Sequence, residues 1–306
     1  MTHARPFRVR LWVRLRIAGR TIWRALVHLL EDDGTTVAGH IAFTSLFSLF
    51  PFLIFLTTVA AQFGQDEAAD HFVHIVLRTL PPEVAEAIQP AMEQFITTPQ
   101  TGLMTLSIAV SLWVASSGIE ALRTALNMAY GVERPRSIWF RRLQSFGLTI
   151  LATVSIIPIM LALVVGPVVW AYVSHLVEVP DFWRWLYNVL RYLVAVVLLF
   201  FVIVLLYRWL PNRRMRWREV LPGAAATVIL WFGTASLFSL YLQNLGRFSI
   251  TYGSLGGIVI TLMFFYLSAL IFIFGAEINS ARRREAAANI RRQRTKRAER
   301  DGTTAS

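Results

Sequence analysis

The sequence predicts an all-α, polytopic membrane protein with about six transmembrane helices and cytoplasmic N- and C-termini. Three observations predict it. Of the 306 residues 56% are hydrophobic and 16% charged, with a mean hydropathy of +0.54, which is too apolar for a soluble domain of this length. Six apolar stretches are long enough to cross a bilayer, and arginine is concentrated in alternate connections between them.

A crossing needs about 20 mostly apolar residues for a hydrocarbon core of about 30 Å. Stretches near 36–63, 102–126, 146–176, 186–207, 220–244 and 253–278 meet that requirement. Pro51 in the first, and Pro158 and Pro167 with Gly166 in the long third, predict kinks or tilt. Between the first two spans, residues 64–100 hold Pro81, Pro82, Pro90 and Pro99 and no unbroken apolar run. This segment is expected to be an external loop with short amphipathic helices.

Orientation follows from basic residues, which are retained on the cytoplasmic side. The N-terminal segment, the loops after spans two and four, and the C-terminal tail together hold 25 of the 30 Lys and Arg residues. The external loop instead carries Asp66, Glu67, Asp70, Glu83, Glu86 and Glu93. An even number of spans with both ends inside satisfies every connection. The chain therefore divides into a basic amphipathic segment 1–33, a membrane domain 34–280 containing the external loop, and a basic tail 281–306.

Residues 9–30 place Leu11, Leu15, Ala18, Ile22, Ala25 and Leu29 on one stripe, with Arg10, Arg14, Arg20 and Arg24 away from it. A helix of this kind lies on the inner leaflet, with Trp12 and Trp23 at headgroup level and the arginines against anionic lipids. Membrane phospholipids are the expected partners, with a topology anchor as the simpler role. The tail from Arg282 to Arg300 lacks interleaved aromatics and any nucleic-acid motif. No nucleic-acid partner is expected, and no residue pattern sets the oligomeric state.

A charge in hydrocarbon costs at least about 2.5–3.5 kcal/mol at the span centre, so each calls for a partner or a watery cavity. Glu120, Arg123 and Asn127 share one face near the inner end of span two. His40 at the start of span one and Glu277 at the end of span six belong at the same depth. Together they are the candidates for an inward-facing vestibule; the alternative is that they hold helices together at the headgroup boundary. Gly253 and Gly257, at the start of span six, form a small-xxx-small pair suited to close helix packing. No internal repeat is evident.

Four stretches carry a family resemblance: AFTSLFSLFPFLIFL (42–56), ALRTALNMAYGVERPRS (121–137), RWLPNRRMRWREVLPGA (208–224) and YGSLGGIVITLMFFYLSALIFIFGAEIN (252–279). In this order they resemble the YihY/virulence factor BrkB family of bacterial inner-membrane proteins, historically labelled ribonuclease BN. The resemblance implies a six-span protein of the bacterial inner membrane and brings no settled activity.

A transporter or handler of a lipid or other amphiphile is the expected function, because the spans are rich in Phe, Leu and Val with few charges. The alternative is a non-catalytic scaffold that docks a protein partner of the cell envelope through the loop 64–100. Nuclease chemistry is disfavoured, since a metal nuclease needs clustered His and carboxylate ligands. His3, His28, His40, His71, His74 and His175 are scattered along the chain. There is no cysteine and no phosphate-cradling nucleotide loop, so neither cofactor nor metal is expected.

Overall fold

A computed structural model describes residues 7–63, 104–132, 137–160, 180–213, 215–244 and 254–303. The external loop, Pro167 with Gly166, and Gly253 lie outside these residues. Among the described residues the chain forms helices and no strand. The helices are α1 (Phe7–Glu31), α2 (Gly34–Phe63), α3 (Met104–Ala129), α4 (Ile138–Met160), α5 (Asp181–Trp209), α6 (Trp217–Asn244) and α7 (Ser254–Thr303). The described part of each of the six apolar stretches falls on one of α2 to α7. Among the described residues, Trp217–Tyr241 and Gly256–Thr295 are by themselves long and apolar enough to cross a membrane, with mean hydropathies of 1.6 and 2.5.

Local chemistry sets the corners. At the end of α3, Gly131 adopts φ +62°. Its N–H donates to the Met128 carbonyl at 3.0 Å, and the Val132 N–H donates to the Asn127 carbonyl at 2.9 Å. This is a Schellman ending, which favours glycine because a Cβ is strained at positive φ. Pro211 follows α5 and has no N–H with which to continue the helix. Between α1 and α2 the turn is made by Asp32 and Asp33, the latter at φ +53°.

Two apolar clusters meet on α7. Leu126 and Tyr130 from the end of α3, Val204 and Tyr207 from α5, Val220 and Ala224 from α6, and Phe272 and Ala276 from α7 form the first. The second joins Leu29 of α1, Ala38 and Ile41 of α2, Ala121 and Ala125 of α3, and Ala269 and Ile273 of α7. Alanines dominate the second because small side chains let helix backbones approach where no hydrophobic drive separates protein from lipid. The α6–α7 crossing is tighter still. A Cβ at Gly223 would overlap the Gly275 carbonyl and Asn279, and one at Gly275 would overlap Thr227 and the Tyr207 hydroxyl.

The polar contacts gather at one end of the bundle, where α3, α5 and α7 finish their apolar runs and α2, α4 and α6 begin theirs. Trp139, Trp209 and Trp217 are exposed at that end, while Phe182, Trp183, Trp185 and Tyr241 are exposed at the other. Two levels of exposed aromatic residues are the pattern of membrane–water interfaces.

The two terminal segments meet in the structure. The tail 281–303 continues α7 as helix, because Glu285, Ala286, Ala287, Ala288 and the arginines are good helix formers and no Gly or Pro interrupts them before Gly302. Helix α1 packs on this extension. Its buried face is Thr21, Ala25 and Leu29, whereas Ile22, Trp23, Leu26 and Leu30 are exposed. The predicted stripe thus divides, with Ala25 and Leu29 turned to protein and Ile22 left outside. Arg24 pairs with Glu285 at 2.8 Å, Thr21 donates to the same carboxylate at 3.3 Å, and Arg284 lies 3.1 Å from His28 Nε2.

Candidate functional site

Arg123 is completely buried at the polar end of α3. One turn earlier on the same helix, Glu120 pairs with its Nη1, which also donates to the Arg141 carbonyl at 2.9 Å. Its Nε donates to the Leu210 carbonyl at the end of α5, 3.2 Å away, and its Nη2 to Gln144 Oε1 at 3.4 Å. Around this guanidinium Glu120 also accepts from Ser145 Oγ at 3.1 Å and faces Arg141 Nε at 3.3 Å. Gln144 Nε2 donates to the Trp209 carbonyl at 2.6 Å. Asn127 completes the face by accepting the Asn212 N–H at 2.8 Å.

The arrangement is a clasp. Carbonyls at a helix end have no partner within the helix and need donors from elsewhere. Here Arg123 and Gln144 supply them to α5, and Asn127 takes the backbone N–H just beyond it. A guanidinium offers five donors in a fixed plane, so one residue can join α3, α4 and α5 at once.

Glu277 lies elsewhere. It is completely buried, and neither carboxylate oxygen has a hydrogen-bond partner. Asp32 and Arg284 are the charged groups within electrostatic reach. Two residues further on, Asn279 accepts the Gly223 N–H at 2.7 Å and donates to the Val220 carbonyl at 3.2 Å and to Tyr130 Oη at 3.4 Å. Burial pushes the Tyr130 phenol well above its ordinary range, against the opposing effect of the Asn279 hydrogen bond. Tyr207 Oη donates to the Phe272 carbonyl at 2.6 Å and shares a 2.7 Å hydrogen bond with Thr227.

Of the five predicted vestibule residues, the structure brings Glu120, Arg123 and Asn127 onto one clasp. Glu277 sits in a separate pocket, and His40 is exposed on α2. Gly257 is buried, and its carbonyl accepts from Thr261 Oγ1 at 2.8 Å. Sequence reasoning missed Gln144, Ser145, Tyr207, Thr227 and the role of Asn279. A glycine in each of two helices at the same polar end, Gly223 and Gly275, is the signal that marks the crossing.

Between α2 and α7 an open apolar groove of about 300 Å³ is lined by Gly39, Ala42 and Phe43 on one side and Val259, Leu262, Met263 and Tyr266 on the other. Among the described residues no group of three or more His, Cys, Asp or Glu is placed to hold a metal ion.

The sequence model of the family described as Virulence factor BrkB matches residues 25–300. The chain belongs to the virulence factor BrkB family. Among similar proteins, one from Bacillus subtilis (strain 168), named "ribonuclease-like protein YfkH", is 33% identical over 248 residues, covering 81% of this chain and 90% of the relative. A UPF0761 membrane protein of Aliivibrio salmonicida is 29% identical over 270 residues, covering 83% and 80%. One of Rhodospirillum centenum is 24% identical over 274 residues, covering 89% of this chain and 59% of the relative. No solved structure matches the chain. The BrkB-family member described here is accordingly a helical membrane protein.

Proposed function

We propose that this chain is a multi-pass protein of the bacterial inner membrane, with both termini in the cytoplasm, that binds and moves an amphiphilic molecule of lipid type. The observation that carries the reading is the α2–α7 groove. Its lining is apolar and open to the outside of the bundle, where a membrane supplies acyl chains. Its volume matches the lower end of the range for small-molecule sites, about 300–1,000 Å³. Gly39 lies five residues after the start of α2 at the polar end, and the exposed His40 stands next to it. A chain lying in the groove would carry its headgroup toward that end, where basic residues are concentrated.

The test uses Gly39, whose Cβ position is open space. Gly39→Phe fills the groove without displacing backbone. Wild type and variant are purified in particles that retain native lipid, and co-purifying small molecules are identified by mass spectrometry. Retention of one lipid class by the wild type and its loss in Gly39→Phe is the expected result. Bulk lipid in both would end this reading and favour a scaffold, for which deletion of 64–100 with loss of a cross-linked partner is the matching experiment.

A further inference from the structure

Among the described residues, Glu277 is a fully buried carboxylate for which the fold provides no hydrogen-bond partner at either oxygen. An ionised carboxylate left uncompensated away from water costs several kcal/mol even after relaxation, so something must neutralise it. No arginine nearby is hydrogen-bonded to it, and Arg284 acts on it only through its field. Arg284, two turns along α7, is exposed and lies 3.1 Å from His28 Nε2. Arg24 is paired with Glu285, and Arg123 serves Glu120 on the other side of α3.

The other groups facing Glu277 add negative charge or oxygen. From the α1–α2 corner comes Asp32, half-buried and within electrostatic reach. The same corner is the carbonyl end of α1, which carries the negative pole of that helix. From the end of α3 comes the Tyr130 phenol, on which Glu277 and Glu219 of α6 both act. The first turns of α2 carry no charged residue before His40, which is exposed. One turn before Glu277, Ile273 packs in the apolar cluster with Leu29, Ala38 and Ile41. The field of Asp32 outweighs that of Arg284, and no basic side chain is hydrogen-bonded to either carboxylate oxygen, so the neutralising charge is left to come from outside the chain.

We infer that Glu277 is a cation-binding carboxyl, neutralised in the folded protein by a small cation taken from solution, a proton or a sodium ion, in place of a protein side chain. Its release leaves a bare charge beside an apolar cluster and favours hydration of the corner where α1 and α2 meet α7. Ion occupancy thereby couples to the packing of those three helices. The site stands independently of the lipid reading, since none of its residues lines the α2–α7 groove.

Wild type, Glu277→Gln and Glu120→Gln are reconstituted in nanodiscs. Their infrared spectra and thermal midpoints are recorded across pH without sodium, then with increasing sodium at alkaline pH. If the cation is a proton, the wild type shows the carbonyl stretch of a protonated carboxyl, which is lost in Glu277→Gln and kept in Glu120→Gln, and sodium has no effect. If it is sodium, the wild-type midpoint rises with added sodium and Glu277→Gln abolishes the rise. Identical responses of wild type and Glu277→Gln to both ions overturn the inference. Should Glu277→Gln not accumulate, Asp32→Asn removes the neighbouring negative charge from a half-buried position. It must move the wild-type response to several-fold higher cation concentration, and an unmoved response overturns the inference equally.

Discussion

The Arg123 clasp and the Glu277 pocket both bury a charge at the same end of the bundle, yet they are built in opposite ways. Around Arg123 stand a counter-charge and several acceptors: Glu120, the Arg141 and Leu210 carbonyls, and Gln144. Around Glu277 the fold supplies apolar side chains, a second carboxylate, Asp32, and an exposed Arg284 that acts on it without a hydrogen bond. The clasp holds three helices in register. The pocket is left with an unbalanced charge, which a structural role does not require. A buried charge without a protein partner calls for an explanation that helix packing does not supply.

The largest test of the contrast is Arg123→Ala. Removing one member of a buried pair costs about 3–5 kcal/mol, and here it also strips donors from α5, so the folded yield in detergent should collapse. Arg123→Lys should recover little of it, because a single ammonium cannot reproduce the planar fork.

Next come the paired neutralisations. Glu120→Gln leaves Arg123 without its counter-charge and should lower stability by about 1–3 kcal/mol. Glu277→Gln removes a carboxylate that has no hydrogen-bond partner and should leave stability at alkaline pH without sodium unchanged or higher. Equal losses in the two variants, read by denaturant titration, would dissolve the comparison.

The glycines sharpen it on the packing side. Gly275→Ala forces a Cβ into Thr227 and Tyr207 and should cost about 1–3 kcal/mol through overpacking. Gly39→Ala, into open space, should be neutral or gain about 0.5–1 kcal/mol from helix propensity. Thermal midpoints of the two variants beside the wild type provide the check.

The smallest effect belongs to the terminal helices. Arg24 is 58% exposed where it meets Glu285, and an exposed pair contributes about 0–1 kcal/mol. A double-mutant cycle with Arg24→Ala and Glu285→Ala should show coupling of that order, fading as salt is raised.

Most of the helical framework is legible in the sequence, because hydropathy and arginine placement act over whole segments and survive local detail. The Glu120–Arg123–Asn127 face is legible for a similar reason, since helical spacing alone puts those residues together. Their partners Gln144 and Ser145 are 21 and 25 residues beyond Arg123 and Glu120, and nothing local selects them among other polar residues. Equally hidden is the separation of Glu277 from Arg123. Depth can be read from position along a span, but the direction a residue faces across a bundle depends on which helices are neighbours. The packing of α1 on α7 escapes for the opposite reason: an amphipathic stripe looks the same whether it meets lipid or protein.

Helix α7 runs 50 residues without a break, with its apolar run ending near Ile278. At about 1.5 Å per residue the part beyond that point reaches about 37 Å. A rod of that reach acts as a lever: a tilt of the membrane-embedded half by about ten degrees would swing its tip by about 6 Å. Small adjustments within the bilayer would therefore arrive in the surrounding solution enlarged, on a segment in which arginine and alanine are the commonest residues.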